Sequence, residues 1–149
     1  MQQRILLVIS ALLLGAILPL QAAINSRLSK AIGSPVFAAF VSFAVGTVAL
    51  FLYLIATKQF NVQALLAKQN PWWAWTGGLL GTFFVAGIVI LLPRLGVVLA
   101  FSLVIAGQMI ASIILDQFGW LGVAINEISL GKIAGVILLI AGVVMIRRF

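Results

Sequence analysis

Apolar residues in this chain come in long unbroken runs, each closed by a short polar or glycine–proline break. Five runs are long enough to cross a bilayer, since a helix needs about 20 residues to span a hydrocarbon core of about 30 Å. The first covers residues 5–24, "ILLVISALLLGAILPLQAAI". Pro19 is expected to kink it, because proline removes one backbone hydrogen bond and crowds the preceding turn. The second covers residues 35–56 and opens on "GSP", with Ser34 as N-cap and Pro35 at the first helical position. The third, residues 71–92, opens on "NPWWAW". Asn70 caps it, Pro71 starts it, and Trp72, Trp73 and Trp75 fall where an interfacial aromatic belt belongs. A break at "LPRLG" separates it from the fourth run, residues 97–118. The fifth and shortest, residues 130–146, stops at Arg147 and Arg148.

Between the second and third runs lies "KQFNVQALLAKQN". Phe60, Val62, Leu65 and Leu66 set against Lys58, Gln63 and Lys68 suggest a short interfacial helix; a plain loop is the alternative. No linker or soluble segment interrupts the chain, so residues 1–149 are expected to form a single five-helix transmembrane domain.

Composition removes other classes. Of the 149 residues, 64% are hydrophobic and 7% charged, against roughly 25% charged in soluble domains. That much apolar surface needs lipid as its solvent. The first run resembles a signal peptide locally, yet the rest of the chain is equally apolar, so it is read as a span. Cysteine and histidine are absent, and Asp and Glu together number 2. Disulfides, a hydrolytic triad and a zinc or iron site lack their residues, so no enzyme, metal or cofactor is expected. The net charge of +7 is spread over single residues, unlike the clustered basic face that nucleic acid requires.

Those basic residues carry an orientation problem. Five spans put the two termini on opposite sides. Arg4, Lys58, Lys68 and Lys132 fall on one side; Arg27, Lys30, Arg94, Arg147 and Arg148 fall on the other. Membrane proteins orient through an excess of Lys and Arg on the cytoplasmic side, and four against five is almost none. The alternatives are that so weak a bias still sets one orientation or that the loop borders lie elsewhere; the favoured reading is dual topology, with copies inserted both ways and paired as an antiparallel homodimer. One gene would then reproduce the inverted-repeat architecture of many transporters.

Polar residues inside the runs are the candidate chemistry, because amides in hydrocarbon are costly unless paired or facing a cavity. Gln21 and Asn25 lie four apart, on one face. Asn25 either caps the helix end or joins Gln21 at a cavity. Ser42, Gly46 and Thr47 lie in the second run, where a serine can satisfy itself on its own backbone. Gln108, Ser112 and Asp116 follow one another at steps of four, which makes a stripe about 80° wide on a helix. Gln108 falls at the middle of its run, so near the bilayer midplane. Asp116 lies about 12 Å along the axis, near the boundary. There it is a solvated helix end, a partner of Lys132 or Arg94, or a carboxylate for proton coupling. Gly77, Gly78 and Gly81 mark tight packing in the third run, and Gly131, Gly135 and Gly142 make a helix-packing seam on the fifth.

Four stretches carry a resemblance: "QAAINSRLSKAIGSPVFAAFVSFAVGT" (21–47), "WAWTGGLLGTFFV" (73–85), "LPRLGVVLAFSLVIAGQMIASIILDQFGWLG" (92–122) and "GVILLIAGVVMIRR" (135–148). They resemble the YdcZ-type family, five-helix bacterial inner-membrane proteins of the drug/metabolite transporter superfamily. The resemblance implies the fold of that superfamily and, from the family's single, paired and fused genes, antiparallel pairing. The last run is also similar to the glycine-rich dimerising helix of small multidrug resistance transporters. Those carry a glutamate in their first helix that binds protons and cations; residues 5–24 have no acidic residue, so that mechanism does not carry over.

The expected function is a small-solute or drug/metabolite transporter that alternates access around a midplane cavity in the dimer. Gln108, Gln21, Asn25, Ser42 and Ser112 would bind substrate, and Asp116 would couple protons. Its partners are the bilayer, a small-molecule substrate and a second copy. A passive dual-topology channel, or a non-transporting subunit that pairs with a homologue, are the alternatives.

Overall fold

Helix is the form in which a single segment satisfies every backbone N–H and C=O without water, and each of the five runs is helical. The computed structural model describes residues 2–65 and 71–148. Within them lie α1 (Gln2–Ile32), α2 (Pro35–Ala56), α3 (Val62–Leu65), α4 (Gly77–Leu95), α5 (Val97–Phe118) and α6 (Leu130–Arg148). A 3-10 turn, Trp72–Thr76, leads into α4. Five helices, α4 counted with that turn, are long and apolar enough to cross a membrane.

α2 begins as its cap chemistry dictates. The Ser34 hydroxyl oxygen accepts from the Phe37 N–H at 3.2 Å, and Pro35 takes the first position. Its other end closes with a Schellman pair: Lys58 N–H to the Ile55 carbonyl at 3.1 Å and Gln59 N–H to the Leu54 carbonyl at 2.9 Å. Lys58 takes the left-handed conformation there, φ 56°, where glycine is usual.

Three borders differ from expectation. α1 continues past residue 24 to Ile32, 31 residues in all, or about 46 Å. A helix that has crossed the membrane has no reason to stop until something breaks it, and here that is Gly33 at φ 75°. So long a helix must tilt or project beyond the hydrocarbon. Pro19 lies inside this continuous helix, where it removes the one bond due to the Gly15 carbonyl. α4 likewise runs through Pro93 to Leu95 rather than breaking at residue 92. α6 extends to Arg148. Of the interfacial segment, one helical turn, Val62–Leu65, is seen; Leu66, Lys68 and the Asn70 cap lie outside the described residues. Trp72, Trp73 and Trp75 are all exposed, as a belt residue must be.

The helices gather into two compact units, Met1–Arg94 and Leu95–Phe149. In the first, α1 and α2 pack as an antiparallel hairpin across the two-residue connection Gly33–Ser34. Their buried residues are small: Ala22, Asn25, Ser26 and Ser29 on α1, Ala38 and Ala39 on α2. Small side chains let helix backbones approach in lipid, where van der Waals packing replaces the hydrophobic drive. Gly81 on α4 faces the Phe43 ring of α2, with 3.5 Å between the ring and the place of a β-carbon. Expected packing around Gly81 is thus present, whereas Gly77 and Gly78 face open space.

In the second unit α5 packs against α6. Ser129, a cap the sequence reading passed over, starts α6: its hydroxyl accepts from the Lys132 N–H at 3.3 Å.

Candidate functional site

Each unit holds a polar hollow in its membrane-spanning helices. The first lies on the α1–α2 hairpin. Asn25 lies seven residues before the end of α1 and Ser42 seven after the start of α2, so the two are level across the hairpin, about 10 Å from its tight end. The Asn25 side-chain N–H donates to the Ser42 hydroxyl oxygen at 3.2 Å. Asn25 is 4% exposed, and Ser26 and Ser29 are buried beside it. Next to this pair a hollow of about 210 Å³ is lined by Gln21, Ser42, Phe43, Gly46, Thr47 and Leu50.

Two readings change here. Asn25 is not a helix cap, because α1 continues beyond it, and Ser42 is engaged by another helix rather than by its own backbone. Gln21 is exposed towards the hollow and makes no hydrogen bond among the described residues. Its amide offers two donors and an acceptor. Ser42 spends a lone pair on Asn25 and keeps its O–H to donate. The hollow therefore presents neutral donors and acceptors against one aromatic ring. Ser26 and Ser29 were missed because the first span was ended at residue 24; carried on, the spacing of Ala22, Asn25, Ser26 and Ser29 marks one buried face.

Interhelical hydrogen bonds in membranes average about 0.6 kcal/mol, and a freed serine can turn to the carbonyl four residues back. Asn25→Ala is therefore expected to lower stability by only about 0.6 kcal/mol, read by thermal unfolding in detergent. A loss above about 3 kcal/mol would make the pair a structural pin of the hairpin.

The second hollow, about 370 Å³, lies between α5 and α6, with Met109, Ser112, Asp116, Lys132 and Gly135 in its wall. Asp116 and Lys132 form an ion pair there, Nζ to Oδ2 at 3.5 Å, with side chains 33% and 26% exposed respectively. A carboxylate in the last turn of α5 sits at the negative end of the helix dipole, which the ammonium offsets. Of the two partners open to Asp116 in the sequence, Lys132 is the one found. Lys132 also donates to the carbonyls of Asn126 at 2.7 Å and Glu127 at 3.0 Å, so all three of its N–H groups are placed. The connecting chain is tied back further by Asn126 N–H to the Asp116 carbonyl at 2.9 Å and Ile128 N–H to Gln117 Oε1 at 2.8 Å. Lys132 thus clasps the α5–α6 connection to the carboxylate.

Gln108 lies outside both hollows. It is exposed at the middle of α5 and has no hydrogen-bond partner among the described residues; Ser112 too is exposed. On α6, a β-carbon at Gly135 or Gly142 would meet nothing within 4 Å, and one at Gly131 only the Ser129 hydroxyl at 3.8 Å. Among the described residues these glycines make no tight crossing. Gly135 instead shares a hollow with Ser112 and Asp116, and Gly142 shares a smaller one with Ser102. The polar stripe of α5 and the glycine face of α6 therefore flank the same side of the α5–α6 pair.

Five membrane-crossing helices, with an amide–hydroxyl pair in one hairpin and an ion pair in the other, define a multi-pass membrane protein. A model of the family described as "Putative inner membrane exporter, YdcZ" matches residues 6–145. The chain belongs to this family, and its location is the bacterial inner membrane. It is 32% identical over 83 residues to "Inner membrane protein YdcZ" of Escherichia coli (strain K12), a stretch that covers 56% of this chain and 55% of that protein. The chain thus matches about half the length of that curated relative. No solved structure matches it.

Proposed function

We propose that the chain exports a small solute across the inner membrane, as an antiparallel dual-topology homodimer that alternates access around a midplane cavity. The observation that carries this is the α1–α2 hollow: Gln21, Ser42 and Thr47 open from helices whose other faces are apolar, backed by the buried Asn25. Lipid cannot satisfy such groups; a hydrogen-bonding solute can. The family's description as an inner membrane exporter supports export.

Pairing is supported by two features besides the balanced Lys and Arg. Gln108 is exposed on its own chain near the midplane, where an unsatisfied amide costs several kcal/mol. The open glycine face of α6 lies on that same side, ready for the close approach of a helix from a second copy. In this reading Gln21 and Ser42 hold substrate along one face, with Asn25 acting through its bond to Ser42, and Gln108 and Ser112 hold it along another. Asp116, the carboxylate within a span, couples protons once Lys132 releases it.

Purified protein in liposomes should release trapped small solutes in a saturable manner, at rates below about 10⁵ per second, since a carrier must complete a conformational cycle for each passage. Channel-like conductance would overturn alternating access, and no flux at all would overturn transport. For the topology, a reporter pair fused to the C-terminus, one active only in the cytoplasm and one only outside, should both give signal. Signal from one alone removes the antiparallel dimer.

A further inference from the structure

On the other flank of the α5–α6 pair lies a further hollow, apolar and larger, about 460 Å³. Its wall includes Leu95 at the end of α4, Leu103 and Ala106 on α5, and Ile140, Val144 and Arg147 on α6. By helical geometry, Ile140, Val144 and Arg147 lie about 160° round α6 from the three glycines, and the α5 wall of Leu99, Leu103 and Ala106 about 150° from the stripe of Gln108, Ser112 and Asp116. A second copy seated on the glycine face would therefore leave this groove uncovered.

Three properties of the groove specify an occupant. The first is depth: along α5 the lining runs from Leu99 to Ala106, about 10 Å along the axis, and Ala106 lies about two residues from the middle of α5, so the groove fits within one leaflet of a hydrocarbon core about 30 Å thick. The second is its lining, aliphatic from end to end apart from Arg147. The third is charge. Arg147 stands in the last turn of α6, level with the outer end of α5, and has no carboxylate partner among the described residues. Both acidic residues of the chain, Asp116 and Glu127, belong to the opposite end of the pair. The groove therefore runs from the Arg147 guanidinium at headgroup level to an apolar end at the midplane.

We propose that this groove binds one anionic phospholipid, an acyl chain lying along Leu95, Leu103, Ala106, Ile140 and Val144 and the phosphate on the Arg147 guanidinium. Guanidinium groups take phosphate in bidentate fashion, and basic pockets between membrane helices select anionic headgroups. The site is independent of the transport reading, because it needs neither the hollows nor the dimer.

The test uses the full-length protein in nanodiscs of phosphatidylcholine, titrated with phosphatidylglycerol of the same acyl chains, with bound lipid counted by native mass spectrometry. Wild type should retain one phosphatidylglycerol in preference to phosphatidylcholine. Arg147→Gln should weaken that preference about fivefold, the worth of one basic residue at an anionic surface, and Arg147→Lys should restore most of it. Arg148→Gln, turned about 100° away from the groove, should change it little. Ala106→Phe, which fills the midplane end, should lower retention of both lipids while circular dichroism shows the helices intact. Equal loss from Arg147→Gln and Arg148→Gln would reduce the effect to a diffuse surface potential and overturn the site. Retention unchanged by both Arg147→Gln and Ala106→Phe would overturn it as well. So would a change of oligomeric state in Ala106→Phe, since the groove would then be a protein interface.

Discussion

Gln108→Leu is expected to cut solute flux through reconstituted protein at least about tenfold while leaving the folded chain as stable as wild type or more so. The two halves of this outcome come from different physics. Removing a neutral hydrogen-bonding group from a transport path forfeits a bond and strands its counterpart on the solute, about 1.5 kcal/mol or more, hence about a factor of ten. Stability moves the other way because Gln108 has no hydrogen-bond partner among the described residues, so a leucine removes an amide that the fold does not use. A glutamine that merely faced lipid would give the stability gain with flux unchanged, and a glutamine holding helices together would give a stability loss. Flux in liposomes and thermal unfolding in detergent, on the same preparation, separate the three.

What the sequence made legible followed from where its chemistry is local. The borders of α2 were readable because Ser34 and Pro35 act on the turn they begin, and those of α5 because Gly96 and Gly119 flank an uninterrupted run. The end of α1 was not readable from the length needed to cross a bilayer, a criterion that says when a helix is long enough and nothing about what stops it. That misplacement hid the rest: Ser26 and Ser29 share a face with Asn25 only if the helix continues, and the register that sets Asn25 level with Ser42 depends on the connection at Gly33–Ser34. The Gln108–Ser112–Asp116 stripe was correct as a stripe, but periodicity cannot say what faces it. Its lower end faces Lys132 and Gly135 across a hollow, while Gln108 faces out of the chain. Likewise glycine spacing on α6 marked a face without marking its occupant, and among the described residues that face is open. The third role of Lys132, holding the carbonyls of Asn126 and Glu127, depends on the path of residues 119–129, which no periodic pattern sets.

That path turns on Gly119, and Gly119→Val is expected to lower stability by about 3 kcal/mol, the largest loss from a single substitution foreseen here. Gly119 ends α5 in the left-handed conformation, φ 60° and ψ 25°, which costs an L-residue about 1–2 kcal/mol and a β-branched one more. A β-carbon would in addition stand 2.8 Å from Ile125 Cγ1 and 3.3 Å from the Val123 carbonyl oxygen, a crowding that costs about 1–3 kcal/mol to relieve. Relief means pushing residues 123–125 outward, and the next residue, Asn126, is the one bonded to the Asp116 carbonyl and to Lys132. Gly122 provides the comparison: at φ 81° it shares the backbone requirement, but its β-carbon would meet nothing within 4 Å. Gly122→Ala should therefore lose only about 1 kcal/mol, and Gly119→Ala should fall between. The midpoints of thermal unfolding should rank in that order, and the Asn126 amide in Gly119→Val should lose its protection from hydrogen exchange. Equal losses at Gly119 and Gly122 would mean that the close approach of Ile125 carries no energy, and the clasp around Asp116 would then stand without the turn that delivers its loop.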